Sequence, residues 1–369
     1  MEIPLARPDI TQAEIDAVVA VLNTPWLSLG PTGPEFERRF ADLCGRQYAA
    51  AMSSGTAALH LCLRAMGIGQ GDEVITTPFS FIASSNCILF EGARPVFVDI
   101  NPETWNIDET LIESAITDRT KAILAVDVFG QPARFDVIGE IAGRRGLRVV
   151  EDSCEALGAK LAGRPAGSLG DVGVFGFYPN KQITTGEGGM MVTDDQALTR
   201  LVISMRNQGR DDQGGWLAHH RLGYNYRLSD INSALGLAQL ERLEEILSRR
   251  DRAATMYRTR LADEPRVRLQ RIEPDVQMSW FVMVVCLDDG YTQEDRDRIL
   301  RALNDRGIMC SNYFTPIHRQ PFYVETFGYK GGEFPVCEAL AMRTVALPFF
   351  GSMTESMVDH VCETLRSVL

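Results

Sequence analysis

Short, almost continuously apolar runs recur through the first half of the chain: DEVITTP at 72–78, RPVFVDI at 94–100, KAILAVDVFG at 121–130, LRVVED at 147–152 and VGVFGFY at 172–178. Helical patterns lie between them. Strands apolar on both sides belong to a sheet covered by helices on both faces, so this rhythm predicts parallel strands joined by crossover helices. Over 231–260 the period changes: leucines and alanines recur at helical spacing with charges on the other face, which predicts one long amphipathic helix. Beyond it, WFVMVVCL at 280–287, a helical stretch at 293–306, TVALPFF at 344–350 and a terminal helix predict a smaller α+β domain. The pattern thus divides into a large α/β domain over residues 1–245 and a small one over 246–369.

Composition narrows the functional classes. The 369 residues are 45% hydrophobic, enough to fill a substantial core. A net charge of −12 argues against a general nucleic-acid binder, which needs a basic surface, so any phosphate on a ligand must be met locally. No apolar run approaches a membrane span, and MEIPLARPDITQAEI carries charges where a signal peptide needs an apolar core. The protein is therefore read as cytoplasmic, without a membrane partner. The eight cysteines, at 44, 62, 87, 154, 286, 310, 337 and 362, form no CxxC pair. Reduced core thiols and no metal site are expected.

In an open α/β sheet, ligands bind beyond the carboxyl ends of the strands. SSGTAALHLCLRAMG at 53–67 reads as a helix whose first turn, Ser-Gly-Thr, lets backbone amides approach a phosphate at the positive helix end. A plain cap by Ser53 or Ser54 is the alternative. GIGQGD at 67–72 precedes a strand and is a turn, because the dinucleotide fingerprint needs the opposite order. After LRVV come Glu151, Asp152, Ser153, Cys154 and Glu155, which place acids at a strand end and suggest either a cationic ligand group or a helix cap. FYPNKQITTGEGGMMV at 177–192 then sets Lys181 between an aromatic run and a glycine cluster. An amine held in an apolar cleft sheds its proton more readily and becomes a nucleophile toward an aldehyde, whereas an exposed loop lysine does neither. A phosphate-ready helix start, a strand-end acid and such a lysine together match the needs of pyridoxal 5'-phosphate.

The motifs SSGTAALHL, GDEVITTPFSFIAS, PVFVDINPETWNID, VVEDSCEALGA, GSLGDVGVFGFYPNKQITTGEGGMMVTDD and GYNYRLSDINSALGLAQLE make the chain resemble the DegT/DnrJ/EryC1/StrS family of pyridoxal-phosphate-dependent sugar aminotransferases, with fold type I. The resemblance implies Lys181 as the Schiff-base lysine and proton carrier, and Asp152 as partner of the pyridine nitrogen. It implies Phe81 stacked on the cofactor ring, or in the core as its bland alternative, and Gly55 and Thr56 on the phosphate. Asn225 is expected to reach across a homodimer interface to the phosphate in the partner subunit. TPWLSLGPTG and YFTPIHRQPFY resemble loops around a sugar nucleotide, which implies substrate contacts for Trp26, Tyr313 and His318. His219, His220, Arg221 and Arg227 form a basic segment, either a solvated face or help in holding a diphosphate.

Two departures qualify the resemblance. Gly176 stands where many relatives have a serine touching the phosphate. Glu155 stands where many have histidine or glutamine, so a carboxylate is expected beside the cofactor's phenolic oxygen, protonated or bonded elsewhere. The implied reaction takes the amine of L-glutamate and passes it to a keto sugar of a nucleotide diphosphate, at carbon 4 of a 4-keto-6-deoxyhexose as perosamine synthases do. Amination at carbon 3 or of a keto-cyclitol is the near alternative. A non-catalytic regulator and a dehydratase are disfavoured because the lysine is present.

Overall fold

Strands form where the apolar runs predict them and end where the chain must turn toward a common edge. The computed structural model describes residues 1–211 and 217–369. Its strands begin with β1 (Tyr48–Met52), β2 (Glu73–Thr76), β3 (Arg94–Phe97), β4 (Thr120–Val126) and β5 (Arg148–Asp152). A two-residue pair, β6 (Lys160–Leu161) and β7 (Arg164–Pro165), precedes β8 (Val172–Gly176) and β9 (Gly189–Thr193). The central sheet has seven strands in the order β1-β9-β8-β5-β4-β2-β3. The run from β3 to β8 is parallel, and β9 is antiparallel to both neighbours. This is the mostly parallel α/β sheet that the apolar rhythm implies.

β1 and β9 are additions to the expected strands. YAAAM is alanine-rich and carries no β-branched signal, but its ladder with β9 and the full burial of Ala50 and Met52 decide its conformation.

A second sheet follows, made of β10 (Val267–Leu269), β12 (Met283–Leu287) and β13 (Thr344–Leu347), all antiparallel, while β11 (Val276–Gln277) pairs with β6. Its core joins Tyr257, Val285, Ile299, Val361 and Leu365, and the N-terminal Ile3 is buried with them. Phe281, Val284 and Cys286 instead belong to the cluster that holds Met52, Val126 and Val150, so apolar packing runs continuously from one sheet to the other. That continuity brings Phe281 to the edge of the central sheet.

The single helix expected over 231–260 is two helices, Asp230–Glu241 and Leu243–Leu261. Arg242 breaks it at φ −103° and ψ 7°, and its guanidinium grips Glu14 at 2.6 Å and Asp9 at 2.7 Å. Gln239 also reaches Glu14, at 2.8 Å. A hydrophobic period cannot register a one-residue break imposed by a distant segment. The eight cysteines are unpaired and six are buried. Among the described residues, no helix is long and apolar enough to cross a membrane.

Candidate active site

The carboxyl ends of β1, β2, β5 and β8 meet at one edge of the sheet, where they open onto a cavity of about 780 Å³. Of the expected site residues, Gly55, Thr56, Phe81, Asp152, Glu155, Lys181 and Tyr313 line it.

After β1 the chain enters the helix Gly55–Ala65, capped by Ser54, whose Oγ accepts from Ala57 N at 3.0 Å. The two readings of this segment hold together: the serine is a cap, and it leaves the N–H groups of Gly55 and Thr56 without an intrahelical acceptor at the cavity wall. Glycine is required at 55 by proximity. A Cβ there would stand 2.9 Å from Cys154 Sγ and 3.3 Å from Gly176 Cα.

At the end of β5, alternation sends the two acids to opposite faces. Glu151 accepts three backbone N–H groups, from Gly167, Leu169 and Gly170, and organises that turn. Asp152 faces the cavity, with Oδ2 accepting from Ser84 Oγ at 2.7 Å and Oδ1 from Cys154 N at 3.2 Å. It is 3% exposed, so its direction is fixed by these bonds and not by water.

Lys181 follows β8 on a pinned loop. Its N–H donates to Tyr178 O at 2.9 Å, Gln182 Nε2 donates to Glu155 O at 2.6 Å and to Ser279 Oγ at 3.1 Å, and Thr184 Oγ1 donates to Phe177 O at 2.9 Å. The amine is thereby placed 4.0 Å above the centroid of Phe281 and 3.8 Å from Glu155 Oε1. Glu155 is buried, and its Oε2 accepts from Phe129 N at 2.8 Å. Burial pushes its carboxyl up to about 7, against the downward pull of the Lys181 ammonium and the Phe129 N–H.

Four expected residues lie outside this cavity. Trp26 is half exposed on the N-terminal segment. Asn225 is exposed, its chain neighbours Tyr224 and Tyr226 stack on each other, and its backbone bridges Asn207. Arg227 bridges Met52 at the end of β1 and donates to Asn207 Oδ1 at 2.9 Å; burial, then the like charges of Arg210 and Arg206, lower its guanidinium from the ordinary value. His318 needs a correction. It is fully buried, packed edge-on against Phe334, with Nε2 bonded to Glu338 Oε1 at 3.0 Å and Nδ1 buried without a hydrogen-bond partner among the described residues, so it does not line the cavity. Glu338 and Glu333 beside it are occupied by backbone N–H groups of residues 330–334.

In the basic segment, His219 bonds Gln208 O and Arg221 bonds Asp211, next to residues 212–216, which lie outside the description.

Sequence reasoning passes over three residues that shape the site. Ser84 orients Asp152, Phe281 floors Lys181, and the buried Arg250 donates to the carbonyls of Trp280 at 2.8 Å and Phe281 at 2.7 Å. Each contact joins residues separated along the chain, and of the three only Ser84, the last residue of GDEVITTPFSFIAS, falls within a motif that carries the resemblance.

The DegT/DnrJ/EryC1/StrS aminotransferase family matches residues 8–366. The GDP-perosamine synthase of Caulobacter vibrioides is 40% identical, over 100% of this chain and 98% of that protein. The spore coat polysaccharide biosynthesis protein SpsC of Bacillus subtilis is 38% identical, over 100% and 97%. Among solved structures, the PLP-form of Spr1654 from Streptococcus pneumoniae superposes with a TM-score of 0.95 at 29% identity, over 100% of this chain and 98% of that one.

Proposed function

Because the chain belongs to the DegT/DnrJ/EryC1/StrS aminotransferase family and is a pyridoxal-phosphate-dependent aminotransferase, we propose that it moves the amine of L-glutamate to carbon 4 of a 4-keto-6-deoxyhexose carried on a nucleoside diphosphate, as a cytoplasmic homodimer. The observation that carries this reading is the meeting of a lysine amine, a buried carboxylate and an open helix start in one cavity. These fit the cofactor group by group. Lys181 offers an amine to its aldehyde, Asp152 an acceptor to its ring N–H, and Gly55 and Thr56 unpaired N–H groups to its phosphate. Phe81, 61% exposed on the cavity wall, is free to cover the ring.

When bound, the cofactor supplies an electron sink for the carbon that loses its proton. Lys181 Nζ then takes and returns that proton, first at the carbon bearing the glutamate amine and later at the sugar carbon. Ser84 keeps Asp152 aimed at the ring nitrogen, and the Gln182 and Thr184 bonds keep the amine from swinging away.

Asn312, Tyr313, Thr315 and Gln320 bring polar groups to the far wall, where sugar hydroxyls would lie. Trp26, Asn225 and Arg227, all outside this chain's cavity, act on the site of the partner subunit in this reading. Support for carbon 4 comes from the whole-length likeness to a GDP-perosamine synthase.

The test is a panel of GDP-, UDP- and dTDP-linked keto sugars with L-glutamate, the amine position being read by NMR. Amination at carbon 4 is expected, with 3-keto isomers slower in kcat/KM by on the order of 100-fold or more. A product amine at carbon 3 overturns the assignment.

A further inference from the structure

On the side of β5 away from the cavity, where β4 and β5 end side by side, two carboxyl groups meet across one hydroxyl. Ser153 Oγ lies 2.8 Å from Asp127 Oδ2 and 2.9 Å from Glu151 Oε1. All three side chains are fully buried, and neither acid forms an ion pair among the described residues. A hydroxyl carries one proton, so it can donate to one of these oxygens and must accept from the other. Were both acids ionised, two charges would be buried together with neither water nor a cation to offset them, at a cost well above that of protonating one. One carboxyl therefore holds a proton.

The surrounding bonds decide which. Glu151 accepts the N–H groups of Gly167 at 2.6 Å, Leu169 at 2.8 Å and Gly170 at 3.2 Å, spread over both of its oxygens, so a proton on either would face a donor. Asp127 accepts one N–H, from Ala133 at 3.0 Å, and does so on Oδ1. Its Oδ2 meets only Ser153 among the described residues. Burial, then the Glu151 charge and more weakly that of Asp152, push Asp127 well above the ordinary carboxyl range. Burial raises Glu151 too, but its four hydrogen bonds oppose the rise.

We propose that Asp127 is a positioning residue that works as a neutral carboxylic acid: its Oδ2 hydroxyl donates to Ser153 Oγ, Ser153 donates to Glu151 Oε1, and this directed chain locks the turn after β4 onto the strand end that carries Asp152. The peptide N–H of Asp127 donates to Asp152 O at 3.1 Å, so one residue holds the backbone of that acid and, through Ser153, the residue after it. The turn closed in this way carries Phe129, whose N–H holds Glu155 Oε2 at 2.8 Å, and Gly130, whose carbonyl accepts from Ser279 N at 3.1 Å. Being neutral, Asp127 adds no second negative charge behind Asp152. Its value to the cofactor rests on the reading of Asp152 as the partner of the ring nitrogen.

Exchange of each carboxyl for its amide tests this, because an amide can donate where a carboxylate cannot. The two acids that share Ser153 should respond in opposite ways. Asp127→Asn keeps an oxygen for the Ala133 N–H and a donor for Ser153, so it should retain Tm. Glu151→Gln turns an NH2 group toward backbone N–H groups that need an acceptor, and should lower Tm by about 5 °C or more, or fail to fold. Asp127→Ala supplies neither bond and should weaken pyridoxal phosphate binding about tenfold, a loss that Asp127→Asn rescues. Native affinity in Asp127→Ala, equal damage from Asp127→Asn, or a Glu151→Gln chain as stable as the native one overturns the proposal.

Infrared difference spectra of the cofactor-free chains give a readout that packing alone would not move. Native minus Asp127→Asn at neutral pH should contain a protonated carboxyl band, and Ser153→Ala, which removes the acceptor of that proton, should shift it. Absence of the band, or its indifference to Ser153→Ala, overturns the proposal equally. The infrared and thermal measurements need no cofactor, so failure of the native chain to bind pyridoxal phosphate would strike the site reading and leave the placement of this proton intact.

Discussion

A methyl group at residue 55 probes the proposed phosphate seat most sharply. Gly55→Ala places Cβ 2.9 Å from Cys154 Sγ, 3.3 Å from Gly176 Cα and 3.5 Å from Phe175 O. The first contact is closer than real Cβ atoms come, so the sulfur must move or the helix start must lift from β8. Overpacking of this kind costs about 1–3 kcal/mol. If the helix lifts, the N–H groups of residues 55 and 56 lose their aim, and pyridoxal phosphate affinity falls by between about fivefold and about a hundredfold. The sulfur's share can be isolated. Cys154→Ala removes the 2.9 Å contact and leaves only the longer ones, so the double variant should recover on the order of 1 kcal/mol of the loss. Equilibrium titration of cofactor-free protein, followed by absorbance, measures all four corners of the cycle. Native affinity in Gly55→Ala, or a cycle with no coupling, would refute the crowding argument.

Three further outcomes follow from the same geometry. Gly176→Ser has room, its Cβ lying 3.4 Å from Cys154 Sγ and 4.0 Å from Gly55 Cα, so its hydroxyl should tighten cofactor binding about tenfold; an unchanged dissociation constant would put the phosphate elsewhere. For Glu14, burial raises the carboxyl, but bonds from Thr11, Arg242 and Gln239 outweigh this and bring it from 4.5 to about 2. A lowered folded value means stabilisation that is present above 4.5 and lost as pH falls toward 2. Glu14→Gln should therefore lower Tm at neutral pH, with a deficit that shrinks through that window; a constant deficit speaks against the linkage. In the proposed dimer, mixing Lys181→Ala with Asn225→Ala chains should restore part of the activity through hybrids with one intact site. Proven chain exchange without recovery counts against Asn225 serving the partner's site.

The sequence reveals the parts of the fold written in local pattern. Apolar runs mark β2 to β5 and β8 because buried parallel strands need them, and Asp152, which ends β5, and Lys181, which follows β8, fall at the cavity because strand ends share an edge; Gly55 is found instead from the start of its helical pattern. What stays hidden is set by contacts across long separations. YAAAM becomes β1 only because β9 pairs with it, and Arg242 breaks a helix only because Asp9 and Glu14 reach it. Ser84 and Phe281 acquire meaning from Asp152 and Lys181, each far along the chain. His318 shows the opposite failure. Its loop is rich in the aromatic and basic residues that binding loops share, but the ring packs into a satellite core with Phe97, Tyr329 and Phe334.

Borohydride reduction of the pyridoxal-phosphate-loaded protein, followed by peptide mass spectrometry, fixes the cofactor to whichever amine holds it. With only four lysines in the chain and three of them exposed, the assignment is unambiguous. The expected result is one pyridoxyl group per chain, on Lys181, and none anywhere in Lys181→Ala. A label on Lys121, Lys160 or Lys330 in place of Lys181, or no label on a chain that binds the cofactor, would contradict the assignment of Lys181 as the reacting amine.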